Sequence, residues 1–356
     1  MKGISFPVFK TKVEGVNQKF MLEDPVDRRK YFDLKAGPEI EKLRDFLRTS
    51  TFVGFLLGPK NSGKGTYSKL FMEALGGNRV AHISVGDIVR RVHKDIEGGK
   101  EKELIAFLKK RYRGFITIEK AIDVILGRDT KTLLPTEVIL ALVEREIDAI
   151  GRKGIFIDGF PRNLDQISYA LYFRTLIGYR DDPDFFVFIY VPESVIDERM
   201  RYRVICPICQ TPRSLKLLRT RDVGYDETTK EFYLMCDTPS CNKTRMTEKE
   251  GDNLGIEAIR KRIEIDAKVI KTLTKLEGVP KVFLRNAVPA DMAKEYVDDY
   301  ELTPEYKYEW DGKEKKVKIS EVPWTVIDDE GKKTYSLLPP AVVVSLIKQT
   351  VQVLGL

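Results

Sequence analysis

Thr51-Phe52-Val53-Gly54-Phe55-Leu56-Leu57 runs directly into Gly58-Pro59-Lys60-Asn61-Ser62-Gly63-Lys64-Gly65-Thr66, and the apolar-periodic run Tyr67–Leu75 follows. A short apolar strand, a glycine-punctuated turn and a helix in this order form a phosphate-binding loop of the G-x-x-x-x-G-K type. The chemistry explains the residue types. Gly58 and Gly63 let the backbone turn tightly, so that successive N–H groups from Asn61 to Thr66 aim at phosphate oxygens. Lys64 adds a full positive charge, and the helix N-terminus adds its partial one. The strand–loop–helix context separates this reading from that of a Gly/Lys-rich surface loop.

Working outward, four more compact runs rich in Val, Ile and Phe read as buried strands: Val80–Ser84, Gly154–Asp158, Asp184–Val191 and Lys281–Arg285. Helical patterns lie between them, at Thr136–Ile150, Asn163–Leu176 and Gly255–Leu276, the first with a capping signal at Thr136-Glu137. Alternating strands and helices imply a parallel sheet covered on both faces. The fold class expected is therefore α/β, a P-loop NTPase-type doubly wound five-stranded parallel sheet. Asp158 closes its strand with a carboxylate, the residue a Mg²⁺ ion beside a P-loop requires.

Composition narrows the class. The 356 residues are 42% hydrophobic and 32% charged, which excludes disordered and collagen-like chains. No run approaches the roughly 18 apolar residues of a membrane span. Met1–Lys12 lacks the apolar core of a secretory signal, so the expected location is the cytoplasm. Lys+Arg minus Asp+Glu is 61 − 54 = +7. With both signs interspersed, that excess permits nucleic-acid binding without arguing for it, and it suits a protein that binds several phosphates. Only two His are present, which argues against His catalysis or a His metal site.

All four Cys fall in two pairs, Cys206-Pro207-Ile208-Cys209 and Cys236-Asp237-Thr238-Pro239-Ser240-Cys241. C-x₂-C with an internal Pro is a zinc-knuckle pattern, and four thiolates would close a tetrahedral structural site. Free thiols or disulfides are the alternatives, the latter disfavoured in the cytoplasm.

At this point the chain resembles the adenylate kinase family of nucleoside monophosphate kinases. Gly58–Thr66 looks like the family's GxPGSGKGT loop, Ser84–Arg90 like STGDxxR, and Asp158–Gln166 like DGFPRxxxQ. Arg199 and Arg203 look like the arginine pair where the family's lid begins, and Arg260-Lys261-Arg262 like the RKR where it ends. The motifs stand in the family's order over roughly residues 51–290.

The resemblance implies a division into residues 1–50, an N-terminal extension; 51–301, the kinase core; and 302–356, a C-terminal extension. Within the core it implies an acceptor-binding insertion at 86–135 and a zinc-bearing lid at 204–252. The extensions read as a helix near Pro38–Arg48 and as strands Lys316–Ile327 and Thr334–Leu338 about an Asp329-Glu330-Gly331 turn. A final apolar run, Ala341–Leu354, follows.

By carry-over, Arg90 and Arg162 hold the phosphate of the monophosphate, and Lys64, Arg199, Arg203 and Arg262 surround the ATP phosphates. The same resemblance stacks Arg199 on the ATP adenine and counts Val288 among the ATP-binding residues. Ser84, Val85, Leu134, Gly159 and Gln166 complete the monophosphate site. Zinc in the lid is a family trait that fits Cys206, Cys209, Cys236 and Cys241. Arg199 and Arg203, four residues apart, are expected on one helix face.

The implied activity is reversible, Mg²⁺-dependent transfer of the ATP γ-phosphate to AMP. Gln166 favours AMP because an amide donates and accepts at once on the adenine edge. Val85, standing where AMP-type members carry a Thr, argues the other way, so UMP, CMP or another monophosphate is the nearest rival acceptor. A nucleotide-sensing or RNA-binding module is the rival of another class. The lid departs from the family near Glu250, where an Arg is usual, and Lys249 and Arg245 are the candidate substitutes.

Overall fold

The computed structural model describes residues 3–76, 78–127, 134–179, 181–248 and 252–356, without the side chain at position 253. Helix α1 (Pro25–Phe46) precedes β1 (Val53–Leu57), which leads through the glycine loop to α2 (Lys64–Leu75) and β2 (Val80–Ser84). Four helices follow, α3 (Val85–Glu97), α4 (Glu101–Arg111), α5 (Ile118–Ile125) and α6 (Thr136–Ile150). Then come β3 (Gly154–Asp158), α7 (Gln166–Leu176), β4 (Asp184–Tyr190) and α8 (Glu193–Arg201). After the segment 203–248, α9 (Arg260–Thr274) returns the chain to the last sheet strand, Lys281–Arg285.

The five core strands form one sheet in the order Lys281–Arg285, β4, β1, β3, β2, and every pair is parallel. The α/β P-loop fold expected from the sequence is the fold observed. Alternate side chains serve opposite faces: Val53, Phe55 and Leu57 join one apolar cluster, while Leu56 and the Phe156 of β3 join the other. Strands buried on both faces have to be apolar at every position, which is why they read as unbroken runs.

Three local expectations shift. Helix α7 starts three residues after Asn163, at Gln166. The helix expected from Gly255 is irregular through 252–259, with Gly255 at φ +60°, and becomes α-helical only at Arg260. Helix α8 ends at Arg201, so Arg203 stands in the strand Arg203–Ile205 and does not share a helix face with Arg199.

The terminal segments complete the core. Helix α1 is twice the expected length because Asp24 caps it, accepting from the N–H groups of Val26 and Asp27, and the chain continues past a break at Ala36 (φ −149°). The last helix, Pro339–Leu354, buries Ala341 to Ile347 in the cluster that holds α1 and α2. Each fully buried Val, Leu or Ile there contributes about 1.5–3 kcal/mol. Lys35 locks the ends together. Its buried ammonium donates to Thr11 O (2.9 Å) and to Asp298 (2.6 Å), with Glu301 at 3.6 Å.

The region read as one C-terminal hairpin contains two pairings. Pro304–Asp311 pairs with Lys316–Pro323, and Val326–Ile327 pairs with Lys333–Tyr335, which also lies against Val288–Pro289. Among the described residues no helix is long and apolar enough to cross a membrane.

Candidate active site

The glycine loop is shaped by contacts that forbid side chains. Gly63 adopts φ +98°, and a Cβ there would lie 2.6 Å from the Tyr67 ring; a Cβ on Gly58 would lie 2.7 Å from Ser62 Oγ. No side chain caps α2, so its first N–H groups face the loop. The Lys64 ammonium folds back to donate to the carbonyls of Gly58 (2.8 Å) and Pro59 (2.9 Å) and lies 3.8 Å from Asp158. These weak neutral acceptors leave it ready to meet an anion. Ser62 Oγ and Asn61 Nδ2 are buried without a partner. Such groups carry a desolvation cost of about 1–3 kcal/mol that a bound oxygen-rich ligand would relieve.

A cleft of about 720 Å³ opens over this loop. Gly58, Asn61, Gly63, Lys64, Gly65 and Thr66 border it, with Asp158, Gly159 and Arg162 at the end of β3. Ser84 and Arg90, from the β2–α3 corner, and Arg203 and Arg262, from the two ends of the lid segment, complete the set. Strand register brings Asp158 there: it pairs with Leu56, two residues before the loop.

Burial, then the neighbouring Arg262 charge, lowers the Arg162 pKa. Arg162 Nε is buried without a hydrogen-bond partner, although Asp266 and Asp158 act on the guanidinium charge. Arg262 pairs with Asp266 (2.9 Å), whose own pKa burial raises. Arg203 forks onto Asp252 and also donates to Asn61 Oδ1. Arg90 is exposed and pairs with Asp87.

Other expected residues stand elsewhere. Val85 is buried, and neither it nor Leu134 borders the cleft. Gln166 is buried too: its Oε1 accepts from Arg162 N (2.7 Å) and its Nε2 donates to Thr136 Oγ1 (3.1 Å). Arg199 reaches the glycine loop, donating to Asn61 O (3.4 Å), and also donates to Asn286 Oδ1 (2.9 Å) and Ser336 Oγ (3.4 Å); Val288 is fully buried against Tyr335.

In the lid, Arg245 pairs with Asp226 (3.1 Å) and packs on the Tyr233 ring, away from the cleft. Lys249 and Glu250 lie outside the described residues. The lid instead sends Arg213 and Arg219 to the cleft, and α1 sends Arg28. No motif surrounds these three, so only tertiary structure reveals them.

The four Cys converge, their Sγ atoms all within 4.8 Å of one another. Thiolates about 2.3 Å from a tetrahedral Zn²⁺ stand about 3.8 Å apart, so the cluster fits that ion; none of the four is in a disulfide. Although burial opposes it, hydrogen bonds with Thr211 and Thr238 bring the Cys209 thiol down to about 6. Burial and the neighbouring sulfurs push Cys241 the other way.

Residues 57–204 match the family described as AAA domain. An adenylate kinase of Clostridium novyi (strain NT) is 31% identical over 211 residues, 59% of this chain and 79% of that protein. One of Thermotoga petrophila is 30% identical over 210 residues, 59% and 77%. The chain belongs to the adenylate kinase family. A further adenylate kinase, of Clostridium botulinum (strain Loch Maree / Type A3), is 34% identical over 155 residues, covering 43% of this chain and 60% of that one. Membership makes the chain a phosphotransferase, and its four-cysteine cluster is compatible with a zinc-bearing lid. The 211 and 210 matched residues leave about two-fifths of the chain outside either alignment.

Proposed function

We propose that the protein catalyses reversible transfer of the ATP γ-phosphate to AMP, giving two ADP. The supporting observation is the convergence of Lys64, Arg162, Arg203 and Arg262 with Asp158 on one cleft over the glycine loop. The acceptor is an ionised phosphate oxygen, so no general base is needed. That oxygen bonds to the γ-phosphorus while the bond to the β–γ bridging oxygen breaks, and that oxygen leaves with the donor ADP. Catalysis is positioning plus neutralisation of charge spread over the transferred group. Arg162 and Arg90 orient the monophosphate. Lys64, Arg203 and Arg262 face the donor phosphates with guanidinium forks and a point charge.

Asp158, beside the P-loop, is the carboxylate suited to hold Mg²⁺. The ion would neutralise the β- and γ-phosphates. Zn²⁺ on the four Cys would stiffen the lid as a closed structural site. Residues 86–135 serve as the acceptor-binding insertion and 204–252 as the lid, which excludes water from the transfer. Gln166 would read the adenine edge by exchanging its bond to Thr136 for the base.

The test is an acceptor panel of AMP, CMP, UMP and GMP with Mg-ATP. ADP formation with AMP should exceed every other acceptor and fall at least about 100-fold in Lys64→Ala. Preference for UMP or CMP moves the assignment to that acceptor. Salt-dependent RNA binding without phosphotransfer would replace it with the interaction-module reading.

A further inference from the structure

The +7 excess of cations is not spread evenly along the chain. Lys109-Lys110-Arg111-Tyr112-Arg113-Gly114-Phe115 holds four cations and no carboxylate. Over residues 109–120, five cations meet one carboxylate, Glu119, for a net 5 − 1 = +4. The stretch spans the last turn of α4, the loop after it and the start of α5. None of these residues borders the cleft over the glycine loop, so phosphotransfer leaves the cluster without a use. Cations in the last turn of a helix answer its dipole, which accounts for Lys109, Lys110 and Arg111. It does not account for Arg113 and Phe115, which lie beyond the helix.

The turn is anchored from below. Tyr112, Ile116 and Ile118 pack against the apolar cluster shared by α3, α4, α5 and α6. The Tyr112 ring folds back over Gly114, where a Cβ would collide with its hydroxyl. Thr117 caps α5 by accepting from Lys120 N (3.2 Å). Held in this way, the loop turns Phe115 outward. At 99% exposure it is the most exposed large apolar side chain among the described residues. Arg111 is committed to Glu144 (2.9 Å). Among the described residues no ion pair engages Lys109, Lys110 or Arg113, and the Arg113 guanidinium donates only to the carbonyls of Tyr112 (2.8 Å) and Lys110 (3.5 Å). The Glu119 carboxylate is held by its own N–H and the Thr117 hydroxyl, with a smaller pull from Lys109.

An open aromatic ring among uncommitted cations suits a flexible polyanion that carries π faces of its own. Bases of an unpaired strand stack on exposed rings whatever their identity, and cations beside the ring track the phosphates. We propose that the α4–α5 turn is a docking site for single-stranded nucleic acid, with a base stacked on Phe115 and backbone phosphates on Lys109, Lys110 and Arg113. A duplex hides its base faces, so the site selects unpaired strands. An anionic bilayer is the other polyanion that such charge attracts. Ile116 and Ile118 are engaged in the cluster beneath, however, which leaves a bilayer a single ring to take up. One apolar side chain among cations is also too small for a protein-binding patch. The site stands apart from the cleft and adds a partner to the phosphotransferase.

The test is fluorescence anisotropy of the full-length protein with labelled oligo-U and oligo-dT of about 12 nucleotides. Saturating inorganic tripolyphosphate is present throughout to occupy the glycine loop. Saturable binding of either strand, weakening as salt rises from about 50 to 200 mM, supports the site, and the tighter strand names the natural class. Phe115→Ala should weaken binding at least about fivefold without changing its salt dependence, and Phe115→Trp should restore it. Lys110→Glu combined with Arg113→Glu should weaken it at least about tenfold and flatten the log–log salt slope by about 1.4, two phosphate contacts' worth. Absence of binding, or binding that these variants leave unchanged, overturns the proposal. Binding seen only without tripolyphosphate belongs to the cleft and overturns it as well. Cosedimentation with phosphatidylserine vesicles that Phe115→Ala abolishes, with no oligonucleotide bound, would give the turn to a membrane instead. Because Phe115 is almost fully exposed, replacing it leaves the core intact.

Discussion

Tyr225 of the lid stacks on Trp310 of the C-terminal hairpin, ring centroids 4.9 Å apart and 22° from parallel. Around that pair, Phe232 packs on Tyr308, Tyr308 OH donates to Leu215 O (2.6 Å), and Tyr306 N donates to Lys216 O (2.9 Å). The segment 203–248 is thus fastened to the pair of strands Pro304–Asp311 and Lys316–Pro323. An aromatic pair is worth about 0.5–1.5 kcal/mol beyond its buried area. Trp310→Ala should raise amide exchange in Val223–Asp226 and Glu231–Leu234 several-fold, leaving exchange in β1 and β4 unchanged. Hydrogen-exchange mass spectrometry reads both, and equal change in both regions would reject the fastening role.

Lys35 joins three distant stretches of chain through Thr11, Asp298 and Glu301. Removing one partner of a buried charge network typically costs about 3–5 kcal/mol, because the remaining charges stay buried and unpaired. Lys35→Ala should lower the chemical-denaturation free energy by that amount. A loss below about 1 kcal/mol would show that the network contributes little.

His82 lies 3.9 Å from Asp158, and its buried Nε2 has no partner. Burial lowers its pKa, against the pull of Asp158. The unfolded chain therefore binds this proton more readily than the folded one. The resulting penalty is absent above the unfolded value near 6.5 and grows as pH falls through it, until the lower folded value is reached. His82→Gln should flatten the loss of thermal stability below about pH 6.5. Parallel stability profiles for the two proteins would reject this.

The four-cysteine site predicts one Zn²⁺ per chain by elemental analysis, falling to none when all four Cys are changed to Ser. Thiolate ligands compete with protons, so zinc should be released as pH falls. Chelation should loosen 203–248 before the parallel sheet, as judged by limited proteolysis.

Gln166 bridges Arg162 N and Thr136 Oγ1. Gln166→Leu strips both of their partner, at about 1–3 kcal/mol. It should lower stability by that amount and raise the KM for AMP more than the KM for ATP. Equal change in the two KM values would remove Gln166 from the acceptor side.

The parallel sheet and the glycine loop were legible because each is encoded locally. Val80–Ser84, Gly154–Asp158 and Lys281–Arg285 are strands over the stretch their apolar runs mark. A strand buried on both faces has no polar position at which the signal can fade, and the loop's glycines answer to contacts within a few residues. The cysteine cluster was legible because ligand chemistry restricts the residue types. Length and charge were legible only as bounds.

Tertiary structure alone decided the rest. Arg199 and Val288 carry the right identities, but whether they face a ligand depends on Ser336 and Tyr335, roughly 50 to 140 residues away in the chain. Arg28, Arg213 and Arg219 reach the cleft without any motif, since a guanidinium's placement follows from the packing of its element rather than from its neighbours in sequence. The extensions read as appendages because nothing in their local pattern shows a partner. They are walls of the core and of the cleft because the apolar faces of α1 and of the last helix are buried against each other, α2 and the strand Lys281–Arg285.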